Sequence, residues 1–212
     1  MTRYTLYRFL TGGSRFISAA LSPLLMPTYG TFLVLWTSIL CALPVGTRAT
    51  VLAMVMGITC VLPMIVIGVM HHFGFITNKR LTMRRERIIP YVFAVLCYAG
   101  ATAYLYNVHA PTWFILFMAG ATLAVTIALI VTVWWKISAH MTGMGGLTAL
   151  VYQVHVQGLS AFDFFGLLCA TLLLSGVLGS ARMVLKRHDV LQVVAGFLNG
   201  YVCVTLAMKL FD

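Results

Sequence analysis

The stretch DFFGLLCATLLLSGVLGSARMVLKRHDVLQVVAGFLNGYVCVTLAMKLF, residues 163–211, decides the fold class. Two apolar runs, 163–181 and 190–211, each have roughly the 17–25 residues that a helix needs to cross hydrocarbon. In lipid the backbone must satisfy its own hydrogen bonds, so such runs read as helices. Between them stand Arg182, Lys186, Arg187 and His188. Ionisable groups at a membrane boundary cost free energy and therefore need a reason.

The rest of the chain repeats the pattern. Hydrophobic residues make up 61% of the 212 and charged residues 8%, against about 25% charged in soluble domains. Crossings are expected at 22–43, 51–75, 88–107, 113–135, 141–157, 163–181 and 190–211. The fold class is an all-α, polytopic transmembrane helical bundle of six or seven spans, with 1–212 as a single integral membrane domain. The fifth crossing, MTGMGGLTALVYQVHV, carries Gly143, Gly145, Gly146, Gln153 and His155. Glycines permit close helix approach and polar side chains seek protein partners, so this segment is expected inside the bundle. It is also the span whose loss would reduce the count to six. Pro23 and Pro27 fall in the first turns of the first span, where proline is tolerated. That span is too long for a secretory signal and no small-residue cleavage site follows it, so it reads as a permanent anchor. Cys41, Cys60, Cys97, Cys169 and Cys203 show no paired spacing and read as small packed residues, with neither a disulfide framework nor a zinc site.

With seven spans, segments 1–21, 76–90, 136–140 and 182–189 share one side of the membrane. That side holds twelve of the fourteen Lys and Arg, leaving Arg48 and Lys209 opposite. The positive-inside rule makes it cytoplasmic, with the inner membrane of a bacterium as the expected location. Arg3, Arg8 and Arg15 are the independent evidence, because cations that bind phosphate cluster on whichever face holds the site.

Only four acidic residues oppose these cations. The missing partner is an anion, and phosphate fits best. In TNKRLTMRRERIIP, Lys79 is followed by Arg80, Arg84 and Arg87 at i, i+4, i+7, which on a helix form one cationic face. The same residues also suit a positive-inside loop on anionic headgroups. In WWKISAHMTG, Lys136, Ser138 and His140 stand at a helix start, where unbonded N–H groups favour anions and an imidazole can protonate a leaving oxygen. An interfacial anchor of Trp134, Trp135 and a snorkelling lysine gives the same pattern. His71 and His72 are adjacent and project roughly 100° apart on a helix, a poor chelate. His109 is expected in a loop and His155 packed within the membrane. Without HExxH or an acidic cluster, no metal is expected. Arg87 precedes His140 by 53 residues and His140 precedes Arg182 by 42. Each interval fits two crossings of about 20 residues and a turn, so the three clusters are expected to meet on one face, an arrangement suited to phosphoryl transfer.

The three clusters in this order resemble the type 2 phosphatidic acid phosphatase family, membrane phosphatases related in architecture to vanadium haloperoxidases. The family motifs are K-x-x-x-x-x-x-R-P, P-S-G-H and S-R-x-x-x-x-x-H-x-x-x-D. The third is matched by Arg182, five residues and His188; the second survives as Ile137-Ser138-Ala139-His140; the first is reduced to Arg80, six residues and Arg87, with Pro90 displaced by two. The resemblance covers about 79–200. It implies that His188 is the nucleophile, forming a phosphohistidine, and that His140 protonates the leaving oxygen. Arg182, Arg80 and Arg87 would bind the phosphoryl oxygens with Lys79, Arg84 and Lys136 nearby, and Ser138 with the Ala139 N–H would bind another.

The sequence departs from the family at Ala181, where the motif has serine, and at Gln192, where it has aspartate. A Gln192 amide oxygen can still orient the imidazole, without supplying charge. Gln at this place is similar to the dolichyl diphosphate phosphatase branch. The implied function is a metal-independent and cofactor-free lipid phosphatase acting on a lipid phosphate or polyprenyl diphosphate, with membrane lipids and no nucleic acid as partners. A phosphatidylglycerol phosphate or other phospholipid phosphatase, and a non-catalytic lipid-phosphate binder or transporter, remain alternatives. Phosphate release from a lipid diphosphate separates them.

Overall fold

Apolar segments that cannot hydrogen-bond to lipid close their bonds within the chain, and helices dominate the structure accordingly. A computed structural model describes residues 3–75 and 88–210. Its helices are α1 (Arg3–Ala20), α2 (Met26–Thr37), α3 (Val45–Met56), α4 (Leu62–His72), α5 (Ile88–Asn107), α6 (Thr112–Trp134), α7 (Ala139–Val156), α8 (Phe165–Val184) and α9 (Val190–Lys209). Among the described residues, six stretches are long and apolar enough to cross a membrane: Arg8–Thr37, Val45–His72, α5, α6, α8 and α9. Buried hydroxyls such as those of Thr59, Thr132, Thr148 and Ser175 donate to the carbonyl four residues earlier, which satisfies them without a neighbouring helix.

The expected spans from 88 onward coincide with helices to within three residues at each end. The beginning of the chain differs. Residues 3–20 form α1, which packs on α8 through Leu10, Ser14 and Ile17. The expected first span, 22–43, is broken up. A 3₁₀ turn at Pro23–Leu25 precedes α2, which holds Pro27 in its first turn and ends at Thr37. Beyond it the chain is extended at Ser38, which pairs with Ser160 in an isolated antiparallel bridge; Ile39 N–H donates to Leu159 and Ala161 N–H to Thr37. Between α3 and α4 the helix widens into a π turn at Gly57–Val61. Pro63 accounts for it, because a proline ring collides with the carbonyl four residues back and donates no N–H.

The fifth expected crossing is α7, and it is the centre of the bundle. Twelve of its eighteen residues are buried, including Gln153. Its closest neighbour is α9, and the two run parallel: Ser138 lies against Gly196, Thr142 against Gly200, and Gly146 against Gly200 and Val204. A side chain at Gly196 would stand 2.6 Å from the Ser138 carbonyl, while one at Gly145 or Gly200 would collide with the backbone of Phe197 or Thr142. Gly196 and Gly200 form a small-x-x-x-small pair, the usual device for close helix approach in lipid. His155 departs from expectation: it lies exposed in the last turn of α7. His109 is in a loop as expected, with φ of 53°. Cys60, Cys97 and Cys203 are buried, whereas Cys169 is exposed.

Gly200→Ala tests the α7–α9 contact. Its methyl group meets backbone that cannot rotate away, so unfolding in detergent should show a loss of about 2 kcal/mol or more. Gly176→Ala, on α8 with nothing within 4 Å, should be neutral or gain up to about 1 kcal/mol from helix propensity.

Candidate functional site

The parallel contact sets the N-termini of α7 and α9 side by side at one end of the bundle, and α8 ends there too. The Ser138 N–H donates to the Gln192 carbonyl at 3.3 Å, tying the start of α7 to the first turn of α9. Helix α8 closes with a Schellman turn: Lys186 N–H donates to Met183 at 2.8 Å and Arg187 N–H to Arg182 at 3.1 Å. The left-handed position of that turn is taken by Lys186, φ 52°, where glycine is usual. Strained residues of this kind collect at functional sites.

These elements surround a pocket of about 550 Å³. Its lining includes Ala139 and His140 from α7, Arg182 from α8, and Lys186, Arg187 and His188 from the link to α9. From α1 come Thr11, Arg15 and Ser18. The pocket then runs inward between apolar helices, past Ala94, Phe117, Ala124 and Leu147 to Val204. Val204 is 14 residues past Val190 on α9, so the pocket reaches about 21 Å along that helix. No Asp or Glu is among the described residues that line it.

His188 is 7% exposed. Its Nδ1 lies 2.8 Å from Gln192 Oε1, the bond expected from their four-residue spacing. Gln192 is itself held by Asp189: its Nε2 donates to Asp189 Oδ2 at 2.9 Å and its backbone N–H to Oδ1 at 2.8 Å. Asp189 is the N-cap of α9. His140 Nε2 donates to the Ser18 carbonyl at 3.1 Å. A carbonyl only accepts, so this nitrogen carries a proton.

Of the residues expected at the site, His188, His140, Arg182 and Ala139 come together at the pocket, and Gln192 contacts it through His188. Ser138 does not. It is fully buried, with Gly196 close against its carbonyl and Cβ, and it is not among the lining residues. Lys136 is half-buried and also stands outside the lining. Lys79, Arg80, Arg84 and Arg87 lie outside the described residues. Arg15 and Asp189 were missed by sequence reasoning. Arg15 reads from sequence as a topological charge, yet its spacing from Thr11 and Ser18, four and three residues away, puts all three on one helix face. Asp189 precedes Gln192 by three residues, the spacing of a helix capping pair.

Ser138 precedes α7 without a side-chain cap bond, and Ala139 and His140 of the first turn of that helix line the pocket. Such a terminus favours anions. With Arg15, Arg182, Lys186 and Arg187, it makes a mouth suited to phosphate above an apolar interior. Among the described residues, no three His, Cys, Asp or Glu side chains are grouped to hold a metal ion. No family model matches the chain, and neither a curated protein nor a solved structure matches it.

Lys186 separates charge from conformation. Lys186→Gly and Lys186→Ala remove the same cation, but glycine alone accepts the left-handed backbone without penalty. Thermal unfolding should place the glycine variant about 1 kcal/mol above the alanine variant. Protection by added phosphate should be weakened equally in both.

Proposed function

We propose that this protein is a lipid phosphatase that uses histidine nucleophilic catalysis, without a catalytic metal, on a lipid phosphate or polyprenyl diphosphate. The observation that carries the reading is the pocket itself. Two histidines and at least four cations stand at its mouth, and its apolar interior has room for a hydrocarbon chain. This is the division a lipid phosphate needs, and the resemblance to the type 2 phosphatidic acid phosphatases assigns the same histidines and Arg182.

In the proposed reaction His188 attacks phosphorus through Nε2 and the bond to the leaving oxygen breaks. His140 gives its Nε2 proton to that oxygen. Water then attacks the phosphohistidine while His140 takes back a proton, releasing phosphate and free His188. Charge on the phosphoryl oxygens is met by Arg182, Arg187, Lys186 and Arg15 and by the start of α7, and in the family pattern also by Arg80 and Arg87. These cations take the place that metal ions hold in other phosphatases.

Purified protein screened against polyprenyl diphosphates, phosphatidic acid and phosphatidylglycerol phosphate should release phosphate from at least one, with activity retained in EDTA. His188→Ala should fall to background, and Arg182→Gln should lower turnover by about 10²–10³-fold. Since one histidine must be neutral and the other protonated, the pH profile should be bell-shaped. Absence of phosphate release from every lipid tested, or loss of activity in EDTA with restoration by a divalent ion, would overturn the reading.

The site-bearing end is proposed to face the cytoplasm of a bacterial cell, from the excess of Lys and Arg there. A cysteine at Ala161, exposed at the opposite end, should then react with a membrane-impermeant thiol reagent in intact cells. Labelling only after lysis would reverse the orientation.

A further inference from the structure

We infer that Asp189 is a positioning residue that sets the tautomer of His188 through Gln192. Three hydrogen bonds within residues 188–192 carry the inference. An ionised carboxylate only accepts. Asp189 Oδ1 takes the Gln192 backbone N–H at 2.8 Å and Oδ2 takes the Gln192 side chain at 2.9 Å. A side-chain amide can present either end, but only its NH₂ can donate to Oδ2. The carboxylate therefore fixes which way the amide lies, and Oε1 is turned to His188 Nδ1 at 2.8 Å. An amide oxygen only accepts, so Nδ1 carries the hydrogen and the lone pair of the neutral ring belongs to Nε2. Each link leaves one arrangement for the next.

The carboxylate that this chain lacks four residues after His188 is thus supplied one residue after it, at one remove. Bonding to Asp189 also polarises the amide, which makes Oε1 the stronger acceptor. Asp189 is exposed while His188 is buried, so the charge stays in water and its directional effect reaches the ring through Gln192. A cap of α9 alone would need only one carboxylate oxygen. The second oxygen is spent on the amide that orients the imidazole.

The tautomer does not depend on what the pocket binds; its effect on turnover rests on the phosphatase reading. The test uses full-length protein in lipid nanodiscs, labelled with ¹⁵N-histidine, with the His188 signals assigned by His188→Gln and recorded where the ring is neutral. Wild type should show a single Nδ1–H form. Asp189→Ser keeps an N-cap oxygen but removes the acceptor of the amide, and should give a mixture of the two tautomers with helix content unchanged. Gln192→Leu, which leaves the Asp189 cap in place, should give the same mixture and carries the test if Asp189→Ser does not fold. A single Nδ1–H form in either folded variant, or a wild type protonated on Nε2, would overturn the inference. With a lipid phosphate substrate, Asp189→Ser should lower kcat about tenfold or more with KM little changed. If wild-type protein releases phosphate from no lipid, the phosphatase reading fails and the tautomer comparison still decides the role of Asp189.

Discussion

The backbone contact between α7 and α9 is the constraint on which the site depends. Helices in lipid gain nothing from hiding apolar surface from one another, because the lipid is equally apolar, so association rests on close packing and polar contacts. Gly145, Gly196 and Gly200 have no side chains of their own to hold the helices apart, and the backbones come close. Because the two helices run parallel, their N-termini arrive at the same end of the bundle. Two positive helix ends side by side repel unless negative charge is supplied. Asp189 supplies it for α9. The start of α7 has no side-chain cap, and it is this terminus that borders the pocket. The same contact that closes the core therefore sets a positive helix end at the pocket, where the proposed function would place an anion.

The spacing of the basic cluster has a structural reason. Arg182 ends α8 and its carbonyl receives the Arg187 N–H in the Schellman turn; His188 follows, and Asp189 caps α9. Five residues between Arg182 and His188 are what this turn and cap require. One fewer would put a left-handed residue or the cap out of register, and the histidine would leave the pocket wall. A motif that reads as chemistry is thus also a short connection between two membrane helices, and its cations complement the negative end of α8.

The hydrophobic pattern suffices to read α5, α6, α8 and α9, because each is a long apolar run bounded by charge or by loop residues, whereas α7 is not among the stretches long and apolar enough to cross. It also placed α7 inside, from its glycines and its glutamine. It failed where apolarity does not track crossing: α1 is helical despite its arginines and paired glycines, and the π turn before Pro63 leaves no periodic signal. At the site, the bond between His188 and Gln192 followed from helical spacing alone. Ser138 misled because a retained motif residue says nothing of what packs on it. Gly196, 58 residues later, packs against the Ser138 carbonyl and Cβ. His155 misled for the opposite reason, since a residue counted within a span came to lie in its last turn.

The bond from His140 to Ser18 bears on how the proposed acid is held before reaction. Its Nε2 proton is engaged by a carbonyl of α1, and the Tyr29 hydroxyl anchors that end of α1 by donating to Ala20 at 2.7 Å. As the proposed acid, His140 is an imidazolium, so this bond already has one charged partner. A bond from the same N–H to a phosphate oxygen would join two opposite charges. In the proposed reaction, a substrate oxygen would take the place of the Ser18 carbonyl once the anion is seated among Arg182, Arg187 and Arg15. Helix α1 thus does more than border the pocket. It holds the proton-bearing nitrogen of His140 in a fixed direction, from which the proposed reaction would draw the proton.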